Sequence, residues 1–480
     1  MRKLSIIATA VITLGSVITT FGGDSYAATG AKKTQQAGKV ITVAYDQGNF
    51  SWPAFQEMAN AYHVKTGNTV KFHYVAASAF EQYLQANFVA GTEPDIVFGG
   101  QPGNGPWLGK NAWYNNGWII NLAPYLNQVS PYTHQPWKDS FLPGVLNSAE
   151  NTTNPHQAQL YGIPQELTTV NLYYNKNLLA KLGIKSPPAT VTQLLLDCKK
   201  AKEAGYIGFS IMNSMSWNLG WYGANIWSTI WRHSSIYQHF NQAGQINPKE
   251  WAIAAKRGDI TANSPELQVY VRFLKALAPY FNTGFNTASF EYEGLFNNGK
   301  ALFELDGSWY PGQHLQEKLP VNYGVAAIPY LDKGFSKRFG DTKRVNYLSG
   351  ATPDLSVTQN AVKDGNLSAA INFLRFWTDP TGGAKILTDK LYQIPVVKGV
   401  PAPKILQPII DSFGTVPQIQ FGANDFTQEQ NANWFKEKQL LLAGQVTPKQ
   451  FIDSFTQNLQ QYADQAIQLN PQWHLQGLLK

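Results

Sequence analysis

Three stretches of this chain set flat aromatic rings beside uncharged hydrogen-bonding groups, a combination suited to a neutral, hydroxylated small molecule. The first, Gln101-Pro102-Gly103-Asn104-Gly105-Pro106-Trp107, places two carboxamides, which both donate and accept, ahead of an indole. The second runs from Asp46, Gln47 and Asn49 to Trp52, for which a helix-start staple is the other reading. The third, Asp306-Gly307-Ser308-Trp309, ends in an indole that can desolvate a patch of C–H groups while the ligand's polar edge stays free. Trp217 and Trp221 are four residues apart and share one face if the segment is helical, so one of them can equally be core, while Trp227 reads as structural.

Residue patterns for covalent chemistry do not accompany these rings. No G-x-S-x-G occurs, and the glycines at 103 and 105 match neither G-x-G-x-x-G nor a phosphate loop ending in Gly-Lys-Ser/Thr. The histidines, His63, His73, His134 and His156 among them, lack metal-ligand spacing, so no metal and no cofactor are expected. Besides Asp46, Glu166 and Asp306 are the acids that fall near the expected ligand loops. A glycoside hydrolase, the rival from another class, would need two carboxylates flanking one bond. Cys198 sits with Leu194 and Leu195 on the apolar side of a helical pattern and reads as a small buried hydrophobe, not a catalytic thiol.

Alternating elements are required to hold these loops. Val40 to Tyr45 is β-branched and reads as a strand; Ser51 to Thr66 carries Phe55, Met58, Ala59 and Tyr62 at helical spacing, with Pro53 in its first turn and Gly67 after its end. Val70, Phe72 and Tyr74 alternate as a second strand, Ser78 and Glu81 form a capping box for a helix stopped by Gly91, and Asp95 to Phe98 is a short buried strand. Such a series predicts a doubly wound parallel sheet whose ligand loops follow the strand carboxyl ends. By that rule the stretches starting at Asp46 and Gln101 sit at a cleft rim. Later strands are expected at 160–164, 170–174, 206–211, 300–305 and 321–328, and helices after Thr190, Ser264 and Thr447.

Composition limits the partners. Asp, Glu, Lys and Arg make up only 14% of the 480 residues, against ~25% in an average protein. A net charge of +7 from scattered basic residues lacks the concentrated stripe that phosphate neutralisation needs, which argues against nucleic acid. So few charges also suit an acidic exterior, where ion pairs lose their carboxylate partners on protonation. At the N-terminus, Met1-Arg2-Lys3, an apolar run from Leu4 to Thr20 and Ser25-Tyr26-Ala27 read as a signal peptide over 1–27, followed by a small, polar linker over 28–39. An exported protein is expected, periplasmic or extracellular at the cell surface, with no lipoprotein cysteine near the cleavage point.

Further segments carry a family resemblance. They are Lys65-Thr66-Gly67-Asn68-Thr69-Val70, Ala90-Gly91-Thr92-Glu93-Pro94-Asp95-Ile96-Val97, Tyr161-Gly162-Ile163-Pro164, Leu172-Tyr173-Tyr174-Asn175-Lys176, Phe296-Asn297-Asn298-Gly299-Lys300 with Asp306-Gly307-Ser308-Trp309, and Thr378-Asp379-Pro380. In that order the chain resembles the extracellular solute-binding proteins of ABC sugar importers, the maltose-binding-protein-like group. The resemblance implies an α/β, two-lobed periplasmic-binding-protein-like fold of type II, each lobe a doubly wound sheet discontinuous in sequence: 40–160 with 330–389, and 161–329 with 390–480. It also implies a non-catalytic monomer that takes a carbohydrate into the interlobe cleft and serves permease subunits in the membrane. Maltose or a maltodextrin is the first ligand expected, and a non-sugar solute is the alternative. In the cleft the family places aromatics at positions matching Trp309, Trp217 and Trp221, a ligand-facing acid near Glu166, amides or rings near Asn104 and Trp107, and a late aromatic, Phe426 or Trp434. Asp95, Asn175 and Lys176 are expected to fix turns and strand contacts.

Overall fold

The computed structural model describes residues 38–45, 51–98, 110–146, 159–213, 218–240, 248–287, 291–344, 354–410, 428–473 and 475. Among them the strands are β1 (Val40–Tyr45), β2 (Thr69–Tyr74), β3 (Ile96–Phe98), β4 (Ile163–Pro164), β5 (Val170–Asn175), β6 (Ile207–Ser210), β7 (Ala301–Gly307), β8 (Tyr323–Ala327) and β9 (Asp354–Val357). They form two sheets, ordered β2-β1-β3-β9-β4 and β6-β7-β5-β8. The expected two-lobed α/β fold is borne out.

In the first sheet β1 pairs in parallel with β2 and β3, and β9 runs antiparallel to β3 and β4. The helix Trp52–Thr66 buries Phe55, Met58, Ala59 and Tyr62, the residues its periodicity selects, and Gly67 closes it at φ 76°. Asp95 ties the sheet together as a structural residue. Its carboxylate accepts from Thr42 N and Oγ, both at 2.8 Å, and from Asn366 Nδ2 at 3.1 Å. The next helix, Ala77–Ala90, departs from expectation. It begins before Ser78, with Ala76 at the N-cap position and no side-chain cap, so the Ser78–Glu81 box does not set its start.

The second sheet has one strongly apolar face. Leu172, Phe209, Phe303 and Leu305 pack against Val191, Leu194 and Cys198 of the helix Val191–Glu203 and against the helices Leu219–Arg232 and Pro265–Leu277. Cys198 is buried, and a side chain at Gly208 would come within 2.9 Å of its Cβ, which accounts for the small residue there. The helix Pro448–Leu469 carries the Thr447–Gln450 capping box and buries Phe451, Phe455, Leu459 and Tyr462. Trp227, Trp231 and Trp251 are buried in this core, as Trp137 and Trp377 are in the other, so much of the aromatic excess is packing.

The chain passes between cores at places other than those expected. Leu160, Tyr161 and Ile163 still belong to the first core, which moves the passage from 160/161 to Gln165–Thr169. Leu331 and Phe339 belong to the second core, where Asp332 accepts from Thr192 N and Oγ, so 330–344 stays with the second sheet and not the first. The return passage near 390 lies instead at Ile394–Val396, because Leu391, Val396 and Val397 pack in the first core. Proline and glycine punctuation marks where elements stop; which core takes the next side chain is decided by tertiary packing.

Candidate functional site

Strand directions define where a ligand would meet both sheets. The ends of β1, β2, β3 and β4 and the start of β9 share one edge of the first sheet. The ends of β6, β7 and β8 and the start of β5 share one edge of the second. Only Gln165–Thr169 separates β4 from β5, so these edges adjoin along a short crossover. Both ends of it are pinned. The Tyr45 hydroxyl donates to Gln165 Oε1 at 2.7 Å, and Ser308 N, just past β7, donates to Thr169 O at 2.9 Å. A second strand of chain runs alongside, with Leu167 N donating to Ile394 O at 2.9 Å and Glu166 bridged to Pro395.

Trp309 and Trp221 meet on the second-sheet edge. Trp309 follows β7 at the N-cap position of the helix Tyr310–Glu317, and its ring lies against the backbone of Gly307, where an added Cβ would be 2.2 Å away. Trp221 comes from the first turn of the helix Leu219–Arg232. The two rings stand edge to face, 5.9 Å apart at 70°, and both are partly exposed. Asn218 makes this meeting possible. At φ 59° it accepts from Met212 N at 3.0 Å and donates to Leu305 O at 2.6 Å, tying the ends of β6 and β7 to the helix that carries Trp221.

On the first-sheet edge Trp52 is 40% exposed and stands edge-on to Tyr74, the last residue of β2, at 4.1 Å. The two acids are placed differently from the rings. Glu166 is buried in the crossover with Oε2 unpartnered, and burial pushes its carboxyl up to about 8. Asp306 is buried at the end of β7. Its Oδ1 accepts from Gly307 N at 2.6 Å; burial, then the Glu293 charge, push its carboxyl well above the usual range against the opposing Gly307 and Trp309 hydrogen bonds. Burial disfavours the charged form of both acids. Asp46, Gln47, Asn49, Gln101, Asn104, Trp107, Trp217 and Phe426 lie outside the described residues.

Residues 52–384 match the family model described as "Bacterial extracellular solute-binding protein". The chain belongs to that family. Among curated relatives of this solute-binding protein is the maltooligosaccharide ABC transporter solute-binding lipoprotein of Streptococcus pneumoniae serotype 4, 24% identical over 82% of this chain and 80% of that one. Among solved structures, a chitin oligosaccharide binding protein superposes with a TM-score of 0.64 at 17% identity, over 89% of this chain and 100% of that chain. The SBP RafE in complex with raffinose gives 0.63 at 16%, over 88% and 99%.

In this solute-binding protein, Trp434 is not a cleft ring. It is buried against Trp227, Tyr270 and Phe455 at 5.9, 5.9 and 5.2 Å, because the helix Gln428–Leu442 packs on Pro448–Leu469. Sequence reasoning also passed over a carboxamide group just beyond β6. Asn213 Nδ2 donates to Asn286 Oδ1 at 2.9 Å, and Gln439 Nε2 donates to Asn213 O at 3.2 Å. These residues are distant in sequence and share no motif. Asn218 alone left a signal, since asparagine tolerates positive φ better than other side chains.

Proposed function

We propose that this protein captures a carbohydrate between the adjoining edges of its two sheets, maltose or a maltodextrin first, and presents it to ABC permease subunits in the membrane. The observation that carries the reading is the Trp221–Trp309 pair: two partly exposed indoles inclined at 70° offer a flat face and a wall to a pyranose ring. Trp52 on the other edge offers a third ring. Asp46, Gln47, Asn49, Gln101, Asn104, Trp107 and Trp217 are proposed to complete the site with neutral hydrogen bonds, and Glu166, protonated at neutral pH, to act as a donor. The maltooligosaccharide named for the pneumococcal relative supports a glucose oligomer. Raffinose and chitin oligosaccharide in the names of the structural neighbours support oligosaccharides more broadly.

Binding would favour closure about the crossovers at Gln165–Thr169 and Ile394–Val396, since only the closed state lets both edges touch one ligand. The protein is proposed to be a monomer, exported by way of the signal peptide over 1–27. Among the described residues no helix is long and apolar enough to cross a membrane. Hydrolysis is disfavoured because a glycosidase needs at least one ionised carboxylate at the bond, and burial raises both candidate acids.

The test is to titrate maltose, maltotriose, raffinose and chitin oligosaccharides while following tryptophan emission and product formation. A saturable change with a maltodextrin and no product is expected. Turnover of any sugar would remove the receptor reading, and silence across the panel would remove the sugar. Genes for two permease subunits are expected beside this one; unrelated neighbours would count against the importer role.

A further inference from the structure

Asp306 is buried just before the turn that carries Trp309, and among the described residues no cation bears on it. Glu304 and Asp306 are two residues apart on β7 and so share a face. Opposite them on β5 stand Tyr173 and Asn171, and opposite Glu304 on β6 is Ser210. The helix Glu291–Asn297 brings Tyr292 and Glu293 over this face, with Glu317 beside Glu293; Tyr310 comes from the helix Tyr310–Glu317 and Tyr323 from β8. His314 lies tilted against Tyr310 and Tyr323, but its Nε2 is occupied by Val321 O. From the helix Val191–Glu203, Asp197 is engaged with Gln193.

Among the described residues, every charged group bearing on the Glu304–Asp306 pair is therefore an acid or a phenol. Both Glu304 oxygens are buried without a hydrogen-bond partner. Two ionised carboxylates on one dry strand face would face desolvation and mutual repulsion with nothing to offset either. Asp306, meanwhile, is bonded to the turn that presents the ring, through Oδ1 to Gly307 N and through a side-chain hydrogen bond with Trp309.

We propose that Asp306 is the positioning residue for Trp309, holding the indole through the Gly307 turn, and that Glu304 behind it makes this hold pH-sensitive. The proposal rests on Trp309 being a ligand-stacking ring. Loss of a proton from the pair places charge in the apolar strand interior. Asp306, at the strand end, then moves toward water and takes the Gly307–Trp309 turn with it.

The experiment uses the full exported chain, with maltotriose as the probe, from pH 4.5 to 8.5. Wild-type affinity is expected to fall at least tenfold across that range. Asp306→Ala loses at least tenfold at every pH, while Asp306→Asn, which keeps an acceptor for Gly307 N–H, restores acid-pH affinity and flattens the profile, as does Glu304→Gln. Equal binding by wild type and Asp306→Ala, or an unchanged profile in both neutral variants, overturns the proposal. Trp309 itself is read by the emission difference between wild type and Trp309→Phe, which needs no ligand and does not depend on Asp306→Ala folding. A pH-dependent difference that Asp306→Asn abolishes supports the positioning role even if no sugar binds and the carbohydrate reading falls; a flat difference overturns it.

Discussion

Replacing Glu166 by Gln should stabilise the protein at neutral pH and leave it unchanged in acid. The side chain is fully buried, Oε2 has no partner, and burial pushes the carboxyl from an ordinary value of 4.5 up to about 8. A raised carboxyl stabilises nothing above its unfolded value: below about 4.5 both states hold the proton, and as pH rises toward 8 only the folded state keeps it. Folding therefore becomes more costly by about 1.4 kcal/mol for each pH unit over that window. At pH 7 the accumulated cost is about 3 kcal/mol, and above pH 8 it levels off near 5 kcal/mol. Glutamine is nearly isosteric and cannot titrate, so urea denaturation should show no gap between variant and wild type at pH 4, and a gap of about 2 to 3 kcal/mol at pH 7. Equal midpoints at both pH values would show that Glu166 ionises freely and that the crossover is not a dry junction.

Three further substitutions test the packing behind the site and the fold. Gly307→Ala inserts a Cβ where Trp309 now lies, 2.2 Å from its ring. The indole must move, and carbohydrate affinity measured by fluorescence should fall by about tenfold, or about 1.4 kcal/mol. Trp221→Ala removes the wall 5.9 Å from Trp309 and should cost about 1 kcal/mol of binding by the same assay, the worth of one aromatic contact. Thr447→Ala breaks the capping box with Gln450 and should cost about 1 kcal/mol of stability in urea denaturation, with no change in affinity.

What could be seen in the sequence was whatever is decided locally. β1 and its following helix carry their own period and stop signals, and Thr447 has its glutamine three residues on, so those elements form as read. Ser78 has the same type of pattern, yet the helix there begins two residues earlier than a Ser78 cap would set it, with Ala76 at its cap. The strand-end rule located Trp309 because a residue following β7 must emerge at that edge. Proximity to another element is not local. Trp434 and Trp221 are both tryptophans on helices, and only the packing of Gln428–Leu442 onto Pro448–Leu469 sends one inward. Nor does spacing distinguish an acid that faces a ligand from one that supports a turn: Asp306 lies three residues before Trp309, and its own Gly307 N–H claims it.

The central claim is that a carbohydrate is held on the Trp309 face at the adjoining sheet edges. Calorimetric titration of maltotriose into wild type and Trp309→Ala at acid pH tests it most directly. Saturable one-to-one binding by the wild type is expected, weakened by about thirtyfold or more in the variant, an energetic loss of about 2 kcal/mol typical of a buried aromatic anchor, with melting behaviour preserved. Equal affinities for the two proteins would contradict the account.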